Sequence, residues 1–256
     1  MAVHPALAKP VREVGGFFAL SLDMFVALFT TRFSWHEFIE QSWFVARVSL
    51  FPCVSLTIPF NALVVFILNV LLFDIGAADA SGTAAAFSVM TQTGPFTTVL
   101  VVGGAAATAM CADLGARTIR EEIDAMRVMG IDPAQRLFVP RVVALTVNAL
   151  LLNGVVCFVG LAASYVFAVY VNNVTPGSFA ASLTLLVGLP ATVISFVKAA
   201  LFGLTAGLIA CYKGLTVGGG PQGVGNAVNE TVVYTFMALA VINTLVTTIG
   251  TTVSSR

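Results

Sequence analysis

Two long stretches of this chain are almost free of formal charge. From Val48 to Ala112 the only charged side chains are Asp74 and Asp79, and from Val142 to Ser255 only Lys198, Lys213 and Glu230. Between them, Asp113 to Arg141 holds ten charges. A soluble domain carries about 25% charged residues to keep its surface in water; here 9% are charged and 58% hydrophobic. That is too little polar surface to cover a globule, so the chain reads as an integral membrane protein whose uncharged runs are helical spans.

Five segments exceed the roughly 20 residues that an α-helix needs to cross about 30 Å of hydrocarbon: Val48–Phe73, Thr83–Met110, Arg141–Val171, Leu183–Tyr212 and Thr231–Val253. Their excess length predicts tilt, kinks or re-entrant ends, with Pro52, Pro59 and Pro95 as the kink positions. Orientation follows Lys and Arg. Lys9, Arg12, Arg32, Arg47, the five arginines from Arg117 to Arg141 and Lys213 fall on one side, whereas loops 74–82 and 172–182 contain neither residue type. The N-terminus is therefore expected in the cytoplasm and the C-terminus outside, with only Arg256 against the rule. Met1 to Gly16 lacks the layout of a secretory signal, so insertion is expected to come from the spans themselves.

Residues 1–46 read as cytoplasmic and interfacial, and 47–256 as the transmembrane unit. Phe17 to Thr31 is rich in Phe and Leu but places Ala19, Asp23, Ala27 and Thr30 on one narrow small or polar stripe. It is short for a span and suits a helix lying in the interface; a sixth span is the alternative. Ser34-Trp35-His36-Glu37 matches a capping box that would start a second short helix. Both tryptophans, Trp35 and Trp43, lie there, at headgroup level.

At about 100° per residue, Asp113, Arg117, Arg120, Glu121, Asp124 and Arg127 share one face of a helix over Asp113 to Gly130. Gly115, Ala116, Ile119, Ile123, Met126 and Met129 occupy the other, with Leu114, Glu122 and Val128 as exceptions. Arg117/Glu121 and Arg120/Asp124 fall at the spacing of helical ion pairs. Gly130 is the expected stop, and Asp132-Pro133-Ala134-Gln135 the start of the next turn. A solvated charged face is one meaning of such a helix; a docking element for a soluble partner is the other.

The stretch Gly115 to Arg141, GARTIREEIDAMRVMGIDPAQRLFVPR, closely resembles the signature loop of the MlaE/YrbE permease family. The likeness extends over nearly the whole chain: Gly76 to Asp79, Gly94-Pro95 with the following Thr-Thr-Val-Leu, Cys111 to Arg117, Val197-Lys198-Ala-Ala, Tyr212 to Val217, and Asn229-Glu-Thr-Val-Val. It is most similar to the A-type YrbE permease of actinobacterial Mce lipid-transport systems. The resemblance implies an N-terminal interfacial helix, five transmembrane helices and a cytoplasmic coupling helix over 113–132, in a bacterial plasma membrane. It also implies pairing with a second, B-type permease to form a lipid pathway, an ATPase dimer docked beneath, and Mce-type proteins as an outer conduit. Arg117, Arg120, Glu121, Glu122, Asp124 and Arg127 are then the ATPase-coupling candidates. Asn61, Gln92, Thr93, Pro95 and Lys198 are candidates for the substrate pathway. The Mla branch has a charged Arg-Glu pair just before its Gly-Pro, where this chain has Gln92-Thr93, so only a polar lining carries over to those positions.

Other constellations carry less. The glycines of Gly218 to Gly223 fit a GxGxxG pattern, but they follow an apolar helix and no βαβ unit surrounds them. These 256 residues contain no phosphate loop, so ATP and Mg²⁺ are expected on the partner ATPase and no cofactor on this chain. Zero net charge gives no basic field for nucleic acid. Cys53, Cys111, Cys157 and Cys211 lack metal or disulfide spacing and read as packing residues. No nucleophile, base or ligand set within a span supports an intramembrane lipid enzyme. Nor do repeats or midplane acids support an ion-driven transporter. Lys198 has two readings, an inter-helix or polar-cavity role and simple accommodation. Asn61, Asn69 and Thr91 to Thr93 read first as helix–helix hydrogen-bonding groups, and Gly203-Leu-Thr-Ala-Gly207 as a close-packing motif.

Overall fold

The computed structural model describes residues 5–30, 33–183, 185 and 187–254. All regular elements among them are helical, and five helices are long and apolar enough to cross a membrane. Arg32 and Arg256, used above to read orientation, lie outside the described residues.

The N-terminal helix α1 covers Pro5–Thr30, a longer element than the expected Phe17–Thr31. Met24 and Ala27 are buried against the bundle, whereas Ala19 and Asp23 of the small-residue stripe are exposed. Helix α2, Trp35–Asp74, corrects the expected short helix at Ser34: it runs unbroken into the first span. Ser34 makes no side-chain cap, and Glu37 is turned toward Gln41 and Arg141 instead of back toward Ser34.

The buried residues of α2 are Val45, Ser49, Cys53, Thr57, Asn61, Val65 and Asn69, every fourth position. A row at that spacing is an i±4n ridge, inclined to the helix axis, so α2 crosses its neighbours obliquely. Small and polar groups line this ridge while Phe51, Leu63, Ile67 and Leu71 point outward. The arrangement inverts that of a soluble helix. In lipid there is no gain in hiding large apolar side chains, and close backbone approach decides which face turns inward.

The second span is assembled from pieces: α3 (Ser81–Ser88), α4 (Gly94–Val101) and α5 (Ala107–Ile119), joined by π-helical turns at Val89–Thr93 and Val102–Ala106. A short helix α6, Glu122–Val128, follows. A third π turn, Ala134–Phe138, leads into α7, Val139–Tyr170. At the far end α8, Pro176–Ser182, caps the bundle, with Thr83 Oγ1 donating to the Ser182 carbonyl at 2.6 Å. The fourth span is α9, Leu189–Leu215, which starts later than the expected Leu183 because Gly188-Leu-Pro190 opens the helix. The fifth, α10, Gly220–Ser254, starts earlier than the expected Thr231. Gly220, with φ +80°, makes the turn, and the helix runs on through residues too polar to read as span.

Helices α5, α7 and α9 form the centre. A Cβ added to Gly203 would lie 2.7 Å from Thr146 Cα, and one on Gly207 3.2 Å from Val142 Cα. The GxxxG stripe thus seats α9 on α7. All four cysteines are free and buried.

Candidate coupling and transport site

Two groups of side chains stand out, one at the charged end of the bundle and one at mid-span.

At the charged end, the expected continuous helix from Asp113 to Gly130 is broken. Helix α5 ends at Ile119, and Glu121 adopts a left-handed backbone, φ 58°, before α6 begins. The end of α5 is fixed by Thr118, whose hydroxyl donates to the Gly214 carbonyl of α9 at 2.9 Å. The turn then folds α6 back so that Ile123 is buried and Met126 packs on the core. Gly130, φ +74°, ends this element as expected, and the Asp132 carboxylate accepts the Ala134 N–H at 2.9 Å.

The break also changes the ion pairs. Neither Arg117/Glu121 nor Arg120/Asp124 forms. Arg117 Nε lies 3.3 Å from Asp113, Arg120 Nε 3.1 Å from Glu122, and Arg127 Nη1 3.0 Å from Asp124. A pair between exposed side chains is worth about 0–1 kcal/mol, so these set orientation more than stability. Beyond them, Val128 and Met129 are 89% and 65% exposed, two large apolar side chains at the tip of a charged loop.

Two basic residues of this end are buried. Arg141 is fully enclosed, with Nη2 2.6 Å from Asp113 Oδ2 and Nε 3.6 Å from Glu37. Lys213 lies 2.6 Å from Glu230, 3.7 Å from Glu13 and 4.5 Å from the centre of the Tyr234 ring, tying α1, α9 and α10 together. The charge pattern of the sequence marks both only as residues of the cytoplasmic side. Arg141 directly after Val-Pro at the head of a span was the available signal for burial.

At mid-span, Lys198 is 1% exposed and its ammonium donates to the Thr91 carbonyl at 2.9 Å. The reason is local. In an α-helix that carbonyl would accept from the N–H of residue 95, which is Pro95 and has none. The adjoining π turn opens the backbone there, and the lysine of α9 fills the vacancy. The structure therefore favours the inter-helix reading over accommodation at the membrane surface.

Thr93 Oγ1 donates to Asn61 Oδ1 at 2.9 Å, joining the same turn to α2, while Asn61 Nδ2 donates to the Thr57 carbonyl at 3.0 Å. Ser81 Oγ donates to Asn69 Oδ1 at 2.6 Å. The Asn61–Thr93 and Asn69–Ser81 bonds are the helix–helix bonds expected of Asn61, Asn69 and Thr93, whereas Asn61–Thr57 lies within α2. Gln92 alone is exposed, on the outer side of the π turn. Asn153, not singled out by sequence, bonds Ser195 at 3.0 Å and lies 3.5 Å from Thr98, linking the second, third and fourth spans. Among the described residues no His, Cys, Asp and Glu side chains gather as a metal site.

Five helices long and apolar enough to cross a membrane, a folded-back charged loop and a polar joint inside an apolar bundle define the class, a polytopic membrane protein. The chain belongs to the MlaE permease family, whose model, described as Permease MlaE, matches residues 38–249. It is 29% identical over 250 residues to a probable ABC transporter permease of Rickettsia conorii, covering 96% of this chain and 95% of that protein. It is 30% identical over 168 residues to a probable ABC transporter permease of Synechocystis, covering 66% of this chain and 64% of that protein. It is also 25% identical over 181 residues to the intermembrane phospholipid transport system permease protein MlaE of Haemophilus influenzae, covering 70% and 69%. The chain is accordingly a non-catalytic membrane subunit of the ABC type, with ATP hydrolysis on a partner.

Proposed function

We propose that this chain is the permease of an ATP-driven lipid transporter of the Mce type, working in a bacterial plasma membrane with its charged end in the cytoplasm. A second, B-type permease completes the lipid pathway, an ATPase dimer docks on the charged loop, and Mce proteins carry lipid on the outer side. The lipid cargo is suggested by the Haemophilus relative, named as a phospholipid permease. The Mce branch and the A-type assignment rest on the sequence resemblance.

The observation that carries the reading is the exposed pair Val128 and Met129, beside Arg120, Glu121, Glu122, Asp124 and Arg127. Apolar side chains held out at the tip of a water-facing loop mark a surface that a partner covers. The flanking charges set its register on that partner. In this reading Val128 and Met129 seat in the ATPase and the charges named by sequence surround them. Gln92, Thr93, Asn61, Pro95 and Lys198 lie along the pathway as the polar joint of the second span, with Gln92 the one facing outward.

Co-purification tests it. Expressed with its neighbouring genes, the chain should bring down an ATPase, and Val128→Asp with Met129→Asp should release it while the permease stays folded. An ATPase retained at wild-type level by that double variant contradicts the docking surface; a wild-type chain that carries no ATPase contradicts the function.

A further inference from the structure

We propose that buried Arg141 is a positioning residue that transmits movement of the ATPase-docking loop to α2, and through α2 to the polar joint at mid-span. The inference rests on the transporter reading above and adds the route by which force travels.

The route is a line of alternating charges. Arg120 meets Glu122 at 3.1 Å, Glu122 meets Arg117 at 4.0 Å, and Arg117 meets Asp113 at 3.3 Å. Asp113 then meets Arg141 at 2.6 Å, and Arg141 meets Glu37 at 3.6 Å. The line passes from the exposed Arg120, 63%, through the half-buried Arg117 and Asp113, to Arg141, which is fully enclosed, and Glu37, 23% exposed. A purely superficial network has no need of an enclosed arginine. The line starts on the docking loop and reaches α2 through Arg141 at Glu37.

An arginine suits the joint. Its guanidinium stays charged when enclosed, and it lies between two carboxylates, 2.6 Å from Asp113 and 3.6 Å from Glu37. Here the two belong to different helices, Asp113 on α5 and Glu37 on α2. A shift of α6 pulls on Asp113 through Arg117, and Arg141 must then follow Asp113 or release it. Exchange between two ion-pair arrangements is the discrete kind of rearrangement by which packed proteins carry coupling.

The receiving element can act as a lever. Helix α2 stays helical from Trp35 to Asp74 through Pro52 and Pro59, and Asn61 lies about 36 Å along it from Glu37 at 1.5 Å per residue. At Asn61 it holds Thr93, the last residue of the π turn whose Thr91 carbonyl is held by Lys198. Displacement at Glu37 therefore arrives where the second span is least regular.

Glu37→Gln is the decisive variant, because Glu37 is partly solvated and the change leaves Arg141 its pair with Asp113. The full complex, with its ATPase and outer partners, is placed in phosphatidylethanolamine–phosphatidylglycerol vesicles carrying a fluorescent phospholipid. Hydrolysis and lipid transfer are measured together. Glu37→Gln should keep wild-type hydrolysis and lower lipid moved per ATP by about fivefold or more, and Glu37→Asp should restore most of it. Transfer and hydrolysis falling in the same proportion, or neither changing, overturns the route through Arg141. A wild-type complex that hydrolyses ATP without moving lipid overturns the transporter reading instead.

Discussion

The ammonium of Lys198 and the backbone carbonyl of Thr91 lie 2.9 Å apart, and Pro95, four residues beyond Thr91, is the reason that carbonyl is free. A hydrogen bond from a charged donor is worth about 1.5–3 kcal/mol, and an orphaned buried carbonyl costs about 1–3 kcal/mol. Lys198→Met should therefore lower stability in detergent by about 1–2 kcal/mol after the relief of desolvating a charge. Combining it with Pro95→Ala, which returns the missing N–H, should recover part of the loss. Thermal unfolding of the two single variants and the double variant checks this; simple additivity would show that the proline and the lysine are unrelated.

The seat of α9 on α7 is set by Gly203, where an added Cβ would meet the Thr146 backbone. Gly203→Val should cost at least about 1–3 kcal/mol by forcing the helices apart. Gly225→Ala, where nothing lies within 4 Å, should be neutral or mildly stabilising. Melting of both variants in the same detergent gives the comparison.

Glu121 stands in left-handed backbone at the break between α5 and α6. A glycine there removes the cost borne by a side chain, so Glu121→Gly should leave stability equal or raise it by up to about 1 kcal/mol. Glu121→Val should lower it, since β-branched residues tolerate positive φ poorly. If valine and glycine melt alike, the break is absent in the folded protein.

The spans were legible from the sequence because their cause is composition. Long uncharged runs have one solution in a bilayer, and each expected segment overlaps an observed span. The ends were less legible. Gly220 to Glu230 is polar yet helical, because α10 packs there on the end of α9 through Lys213 and Glu230. The coupling loop failed in an instructive way. Amphipathic periodicity puts Ile123 and the charges on opposite faces but cannot register that Thr118 is pinned to Gly214, where α5 ends at Ile119 instead of running on to Gly130. Arg141 looked like a topology marker because burial of a charge depends on partners far apart in sequence, Glu37 and Asp113. Sequence marks Pro95 as a kink and leaves Lys198 between an inter-helix role and simple accommodation; only the packing of α9 on the second span shows one answering the other.

The four native cysteines are buried, so a single cysteine placed at Val128 reports on the docking loop alone. The most direct test of a water-facing loop gripped by an ATPase is labelling of Val128→Cys with a membrane-impermeant maleimide, in sealed right-side-out and inside-out vesicles, with and without the ATPase. Val128→Cys should label only from the cytoplasmic side and be protected when the ATPase is bound. Labelling from the outer side, or equal labelling with the ATPase present, rules out a cytoplasmic docking loop.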